Sequence, residues 1–415
     1  MSSALANLNA HNIADLREAA KRRLPRGLFE YVDRGTENEV SARGNRQSFD
    51  SVQFVPRPLI DVADRSMKTT LFGKEHSAPI VIAPTGLAGM LWHEGEIAAA
   101  RAAKQAGIPF TLSTASITSL EDVAAKAGGE LWFQLYLWSK MEMSYELVKR
   151  ARAAGYRTLV VTIDSVVNGN REHNRRNGFT IPLRLTARNV IDGALHPRWT
   201  LGVMGRYLMG SGMPEFANFP QEIRTDLRGN SKGGGVLVPK NESQTWEHIR
   251  TLREMWPDGP LIVKGILHPQ DARNAIDCGA DGIVVSNHGA RTLDGAVSPM
   301  QVVQAIAAAV NKQATILLDS GVMRGSDIVK ALALGADAVM IGRATLWGIA
   351  ADGQPGATLA LDILKSEIDR VMAYLGCRSI GAIDAGVIYR NNPREAAPSA
   401  AVLRENHFNL QERTE

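Results

Sequence analysis

The stretch Cys278-Gly279-Ala280-Asp281-Gly282-Ile283-Val284-Val285-Ser286 runs from a helix ending through a short apolar strand to a polar residue. The same plan returns at Leu334-Gly335-Ala336-Asp337-Ala338-Val339-Met340-Ile341-Gly342. A glycine there suits the left-handed cap that stops a helix before the next strand. The branched apolar run that follows reads as a buried strand. Working outward, similar helix endings stand at Lys104-Gln105-Ala106-Gly107 and Arg152-Ala153-Ala154-Gly155. Strand candidates recur at 80–83, 110–112, 131–135, 159–163, 261–263, 283–285, 316–318 and 338–341. Between them lie helical stretches at 94–106, 120–127, 141–154, 269–278, 299–310 and 326–334. Such alternation implies parallel strands joined by right-handed crossovers. Eight repeats predict an α/β fold, a closed (β/α)8 TIM barrel.

A barrel of this kind uses about 250 residues, so the 415-residue chain carries additional material. It falls in an N-terminal helical elaboration of roughly 75 residues, a long loop insertion after strand four, and a C-terminal tail. The expected division is a single domain over 1–392, with the barrel at about 78–375 and the insertion at about 165–259, followed by the tail at 393–415.

Composition narrows the class. With 45% hydrophobic and 22% charged residues the chain can bury a large core. Its two cysteines, Cys278 and Cys377, have no metal-ligand spacing; this predicts neither a disulfide framework nor a structural zinc and fits a reducing, cytoplasmic setting. The opening MSSALANLNAHNIADL lacks the basic-then-apolar order of a secretory signal. No run approaches the ~20 apolar residues that span a bilayer. A formal net charge of +4 is too weak to imply nucleic acid. That charge is uneven, however. Between Ser165 and Lys240 there are 11 Lys and Arg against 5 Asp and Glu, interleaved with Trp199, Leu201, Met204, Tyr207, Leu208 and Met209. This mixture predicts a segment that binds the membrane surface without spanning it, or a soluble lid over the barrel mouth.

In a TIM barrel the C-terminal ends of all eight strands converge on one mouth. Here those ends carry Pro84-Thr85-Gly86, Ser113, Gln134 with Tyr136, Thr162 with Asp164, Lys264, Ser286 with His288, Asp319 with Gly321, and Gly342 with Arg343. Glycines after strands seven and eight suit a phosphate held by backbone N–H groups, pointing to a phosphorylated cofactor or substrate. His288 and Arg291 share the loop after strand six. A neutral imidazole takes a proton near neutral pH, and a guanidinium fork holds a carboxylate. Together they suit a reaction on a small organic acid.

At these residues the chain resembles the FMN-dependent L-2-hydroxy acid oxidases and dehydrogenases. The likeness runs from about Leu24 to Asn392. It rests on SNHGARTLDG at 286–295, IAPTG at 82–86, WFQLY at 132–136, VTID at 161–164, VKGI at 263–266, DSG at 319–321 and IGR at 341–343. STAS at 113–116, VNGNRE at 167–172 and HPRW at 196–199 tie it most to the mandelate dehydrogenase subgroup, with the L-lactate dehydrogenases next. The resemblance implies His288 as general base, Asp164 stabilising its imidazolium, Tyr31 and Arg291 on the substrate carboxylate, Tyr136 on its hydroxyl and Arg171 on developing negative charge. For FMN it implies Lys264 by the N1 side of the ring, and Ser113, Gln134, Thr162, Ser286 and the backbone of Pro84, Thr85 and Gly86 around it. Asp319 would meet a hydroxyl of the ribityl chain, and the backbone of Gly321, Gly342 and Arg343 the phosphate. No metal is implied. The expected partners are a 2-hydroxy acid, a quinone or other electron acceptor, the inner face of the cytoplasmic membrane, and further copies of the chain in a homotetramer.

Two departures from the family pattern stand out. Ala290 and Thr292 replace the usual Gly and Gln beside the chemistry, and Met323 replaces an arginine expected on the FMN phosphate. The leading expectation is oxidation of a mandelate-like or other larger L-2-hydroxy acid. An L-lactate dehydrogenase or an oxygen-using oxidase is the alternative, and Met323 suggests a second one, a catalytically weakened flavin-binding protein.

Overall fold

The computed structural model describes residues 9–179, 186–220, 223–228 and 240–389. The predicted tail and part of the insertion lie outside the described residues. Eight strands close a barrel: β1 (Ile80–Ile82), β2 (Phe110–Ser113), β3 (Leu131–Leu135), β4 (Thr158–Thr162), β5 (Leu261–Ile266), β6 (Gly282–Val285), β7 (Thr315–Leu318) and β8 (Ala338–Ile341). Every pairing is parallel, and β8 returns to β1 through Val339 opposite Ile80. Side chains alternate as a pleat requires. Val81, Trp132, Val160, Ile262, Val284, Leu317, Ala338 and Met340 fill the barrel interior, while Ile80, Ile82, Phe133, Leu159, Val161, Ile283 and Leu318 face the helices.

A hairpin, Thr69–Leu71 with Lys74–His76, inserts Leu71 and Phe72 into that interior cluster and so closes the barrel floor. Phe72 and Gly73 both have positive φ, 48° and 74°, as a two-residue hairpin turn with the right twist demands. Gly282 is the complementary feature on the barrel wall. A Cβ there would lie 2.9 Å from the Phe72 ring. The sequence reading missed this hairpin, because its three-residue strands carry mostly polar side chains.

The outer layer comprises α1 (Gly95–Ala106), α2 (Leu120–Lys126), α3 (Met141–Ala153), α4 (Trp246–Met255), α5 (Pro269–Asp277), α6 (Pro299–Val310), α7 (Gly325–Ala333) and α8 (Arg343–Leu375). Local signals set their ends. Ser119 accepts the Asp122 N–H at the start of α2, Ser298 and Gln301 cap α6 reciprocally ahead of Pro299, and Gly107 at φ 70° stops α1. Helix α8 is bent at Asp352 and Gly353, where non-helical dihedrals let Gly353 lie against the Trp92 ring. Helix α4 falls inside the stretch read from sequence as insertion.

Three N-terminal helices, Ile13–Arg23, Arg26–Asp33 and Val40–Asp50, are the expected helical elaboration. The described part of the insertion is also partly helical, with Ala187–Leu195 and a run from Pro197 to Met209 that includes a π-helical turn. Val203 and Tyr207 are buried, and Trp199 donates its indole N–H to the Met90 carbonyl at 2.7 Å, docking this run on the barrel. Helix Ala187–Leu195 exposes Val190, Ile191 and Leu195, and the run exposes Leu201, Leu208 and Met209, among the solvated Arg188, Arg198 and Arg206. No helix among the described residues is long and apolar enough to cross a membrane.

Candidate active site

The loop after β6 carries His288, Gly289 and Ala290, all with φ near 60°. A left-handed conformation costs a non-glycine residue about 1–2 kcal/mol, so such a run persists only when its surroundings over-determine it. They do so here. Ser286 Oγ accepts the His288 N–H at 3.0 Å, Ser320 Oγ accepts that of Gly289 at 2.9 Å, and Asn287 Oδ1 accepts that of Ala290 at 3.1 Å. Asn287 is itself paired with Asn45 on the third N-terminal helix. Asp294 accepts the N–H groups of Asn38 and Ser41, capping the same helix. Burial pushes the Asp294 carboxyl up, but four backbone N–H groups outweigh it and hold it below the usual carboxylate value. The Leu-Asp-Gly end of the motif is thus a cap that ties this loop to the N-terminal helices.

His288 Nδ1 lies 2.8 Å from Asp164 Oδ1, beyond the end of β4, and His288 Nε2 lies 3.4 Å from the Tyr136 hydroxyl, beyond β3. With Asp164 ionised, Nδ1 carries the proton and Nε2 is left as the basic nitrogen. Burial lowers the imidazole below its ordinary value, although Asp164 works in the opposite direction. Burial also raises the Asp164 carboxyl, yet His288 and Lys264 together override it and keep it ionised. A bulge in β5 makes room for this aspartate. Gly265 has φ 111°, and a Cβ on it would stand 2.5 Å from that of Asp164. Burial and then Asp164 push the Tyr136 phenol well above its usual range, so it remains a neutral hydrogen-bond donor.

Around this centre stand cations. The guanidinium groups of Arg291 and Arg171 lie 5.1 and 5.8 Å from the centroid of the Tyr31 ring. Arg291 and Arg343 both donate to the carbonyls of Val32 and Arg34, at the end of helix Arg26–Asp33. Burial, followed by Arg171, holds the Arg291 guanidinium well below its ordinary value. Among the described residues no carboxylate pairs with it, so it is poised for an anion. Lys264 bridges Asp319 at 2.8 Å and Ser286 Oγ at 2.7 Å. Burial lowers its ammonium, but Asp319 and Asp164 more than restore the charge.

These groups surround a cavity of about 730 Å³. Every predicted site residue lines it except Gln134, Asp164 and Ser286, which are set behind its wall. Gln134 Oε1 accepts from Ser113 Oγ and from the Thr114 N–H, which directs Nε2 elsewhere. That Nε2 and the neighbouring Thr162 Oγ1 are buried with no hydrogen-bond partner among the described residues. A buried polar atom left unpaired costs about 1–3 kcal/mol, so two of them on adjacent strands call for a ligand. Gly86 lines the same cavity, packed so closely on Ala115 that a Cβ would sit 3.1 Å from the Ala115 carbonyl. A flat heteroaromatic ring with alternating donors and acceptors fits this face, and the flavin of FMN is such a ring.

At the other end, Met323 lines the cavity, and Asp327 accepts the backbone N–H groups of Met323 and Arg324 at 2.9 and 3.0 Å. Arg46, which the sequence reading did not single out, reaches Asp327 and the Gly321 carbonyl here and also lines the cavity. Lys240 was likewise passed over. Its ammonium lies 4.6 Å from the centroid of the Tyr136 ring.

Residues 20–390 match the model of the FMN-dependent dehydrogenase family. The chain is 44% identical to the (S)-mandelate dehydrogenase of Pseudomonas putida over 390 residues, 94% of this chain and 96% of that one. It is 40% identical to an L-lactate dehydrogenase of Caulobacter vibrioides over 92% of this chain and 98% of the relative. A crystal structure of the monotopic membrane protein (S)-mandelate dehydrogenase superposes with a TM-score of 0.85 at 44% identity, covering 92% of this chain and 99% of that one. A mandelate oxidase variant solved with (S)-mandelic acid gives a TM-score of 0.76 at 36% identity over 92% of this chain and 98% of that one. With that barrel, that cavity and these matches along nearly its whole length, the chain belongs to the FMN-dependent dehydrogenases that act on 2-hydroxy acids.

Proposed function

We propose that this enzyme oxidises an L-2-hydroxy acid with a side chain larger than a methyl group, mandelate-like in bulk, to the 2-oxo acid. The observation that carries the reading is the pairing of His288 with Asp164, with Nε2 turned toward Tyr136. Arg291 and Tyr31 hold the substrate carboxylate, and Tyr136 donates to its hydroxyl. His288 Nε2 takes a proton from the substrate, and Asp164 stabilises the imidazolium that results. Arg171 meets negative charge as it develops. Lys264, held by Asp319 and Ser286, keeps a positive charge beside the cofactor ring. Gln134 Nε2, Thr162 Oγ1 and Ser113 would hold that ring, and the backbone N–H groups at Gly321, Gly342 and Arg343 its phosphate. Bound FMN supplies the two-electron acceptor that these side chains lack. Small residues at Ala83, Gly86 and Ala115 on the cavity wall leave room for the larger side chain. The electrons are delivered to a quinone, which agrees with an exposed apolar and cationic face that rests on a membrane surface.

Anaerobic titration with (S)-mandelate, L-lactate and glycolate tests this. Bleaching of the flavin absorbance is expected, fastest with the bulkiest acid. A flavin that none of the three reduces would leave only a binding role.

A further inference from the structure

At the end of the cavity bordered by Gly321, Gly342 and Arg343, Met323 stands where an arginine is expected on the cofactor phosphate. A phosphate dianion calls for a cation as well as backbone N–H groups. Most of the guanidinium groups near this end are already committed. Arg343 turns its own to the Val32 and Arg34 carbonyls at 3.0 and 3.2 Å. Arg17 is held by Asp33 through two hydrogen bonds, and Arg324 by Glu367. Arg46 directs its donors to Asp50, Asp327 and the Gly321 carbonyl.

Arg43 is the exception. It stands one turn before Arg46 on helix Val40–Asp50, on the same face, and lines the same cavity as Met323 and Gly321. Among the described residues no carboxylate pairs with it. Its Nη1 donates to the Asn38 carbonyl at 2.8 Å, which leaves Nε and Nη2 for another acceptor. The helix that carries it is packed directly on the phosphate loop. A Cβ on Gly321 would lie 2.9 Å from that of Asn45 and 3.1 Å from the Asn45 carbonyl. Asn287 and Asp294 fix the helix in that place.

We propose that Arg43 supplies the counter-charge that residue 323 does not, so that the FMN phosphate is held between backbone N–H groups of the barrel and a guanidinium of the N-terminal helix. This rests on the phosphate placement proposed above and deepens it. The long, flexible arginine side chain spans the mouth from the helix side, where a charge on the loop after β7 would have approached from the barrel side.

The test titrates apo-protein with FMN and with riboflavin, which lacks only the phosphate. Arg43→Met should weaken FMN about tenfold, the low end for one charged hydrogen bond because Arg43 is exposed, and leave riboflavin unchanged. Arg43→Lys should retain most of the FMN affinity. Met323→Arg should tighten FMN by a larger factor in the Arg43→Met protein than in wild type, because both positions serve one phosphate. An FMN affinity untouched by Arg43→Met overturns the assignment. So does an equal loss for riboflavin, which would mean that Arg43 acts only through the fold of its helix. A wild type that binds riboflavin as tightly as FMN overturns the phosphate placement as well.

Discussion

Arg324 is paired with Glu367 on helix α8, guanidinium to carboxylate at 2.7 Å. It therefore stays off the cavity wall and does not replace the charge that Met323 leaves out. A thioether offers a phosphate only a weak acceptor, whereas a guanidinium makes a charge-assisted bond. Met323→Arg should tighten FMN by about ten- to a hundredfold, the effect of one charged hydrogen bond. Titration of apo-protein with FMN measures it. Equal affinities would mean that the backbone N–H groups at Gly321, Gly342 and Arg343 already suffice.

Removing the base leaves the flavin end of the cavity intact. His288→Ala should therefore retain FMN yet slow its reduction by the acid by about 10²–10⁴-fold. Stopped-flow absorbance resolves both quantities, and reduction within tenfold of wild type would take His288 out of the reaction.

The pH profile follows from the same ring. Burial lowers the His288 imidazole below its ordinary 6.5, and the base must be neutral to act. In the free enzyme, kcat/KM should be flat across neutral pH and fall only as pH drops through a value under 6.5. Asp164 is a raising influence, so Asp164→Asn should move that acid limb lower still. The plateau should also fall, by about a hundredfold or more, as the imidazolium loses its counter-charge. An acid limb that moves upward in the variant contradicts this scheme.

Leu201 and Met209 are 70% and 83% exposed on the insertion, with Leu208 beside them. Burying a leucine side chain is worth about 1.5–3 kcal/mol, so losing three such anchors should release the protein from a bilayer. Wild type is expected to sediment with anionic liposomes at low salt, and Leu201→Asp combined with Leu208→Asp and Met209→Asp to stay in the supernatant. A wild type that remains in the supernatant would identify the segment as a lid.

Ala290 is fully buried at φ 60°, a conformation that glycine adopts freely. Ala290→Gly should raise stability by about 0.5–1 kcal/mol, the left-handed penalty less the entropy that glycine loses on folding. Urea unfolding of the flavin-loaded enzyme checks it.

The barrel was legible because each strand is a short run of branched residues closed by a polar one, a pattern that survives without tertiary information. Strand and helix limits read from that pattern agree with the structure to within a residue at most ends, but β5 continues past its expected end through Gly265 to Ile266. That continuation is the bulge that admits Asp164, and a lone glycine gave no sign of its neighbour. Helix α4 was hidden because a long polar insertion precedes it. His288, Arg291 and the strand-end residues were found because barrel topology alone brings them together. Lys240 and Arg46 were not, since neither stands at a strand end: one follows an irregular segment, and the other lies on an N-terminal helix whose docking depends on Asn287 and Asp294. The main-chain carbonyls of Val32 and Arg34 could not be read at all, because any residue supplies a carbonyl.

Those two carbonyls join sites that chemistry treats separately. Helix Arg26–Asp33 ends with unsatisfied acceptors at its negative pole, and these receive the guanidinium groups of both Arg291, assigned to the substrate carboxylate, and Arg343, whose backbone N–H is assigned to the flavin phosphate. A single helix end thus pins two barrel loops in mutual register. Any coupling carried through this shared helix end must be reciprocal, so the factor by which an unreactive acid in the pocket changes FMN affinity should equal the factor by which FMN changes affinity for the acid. The helix outside the barrel is in this sense the hinge pin of a thermodynamic cycle that links the cofactor end of the cavity to the substrate end.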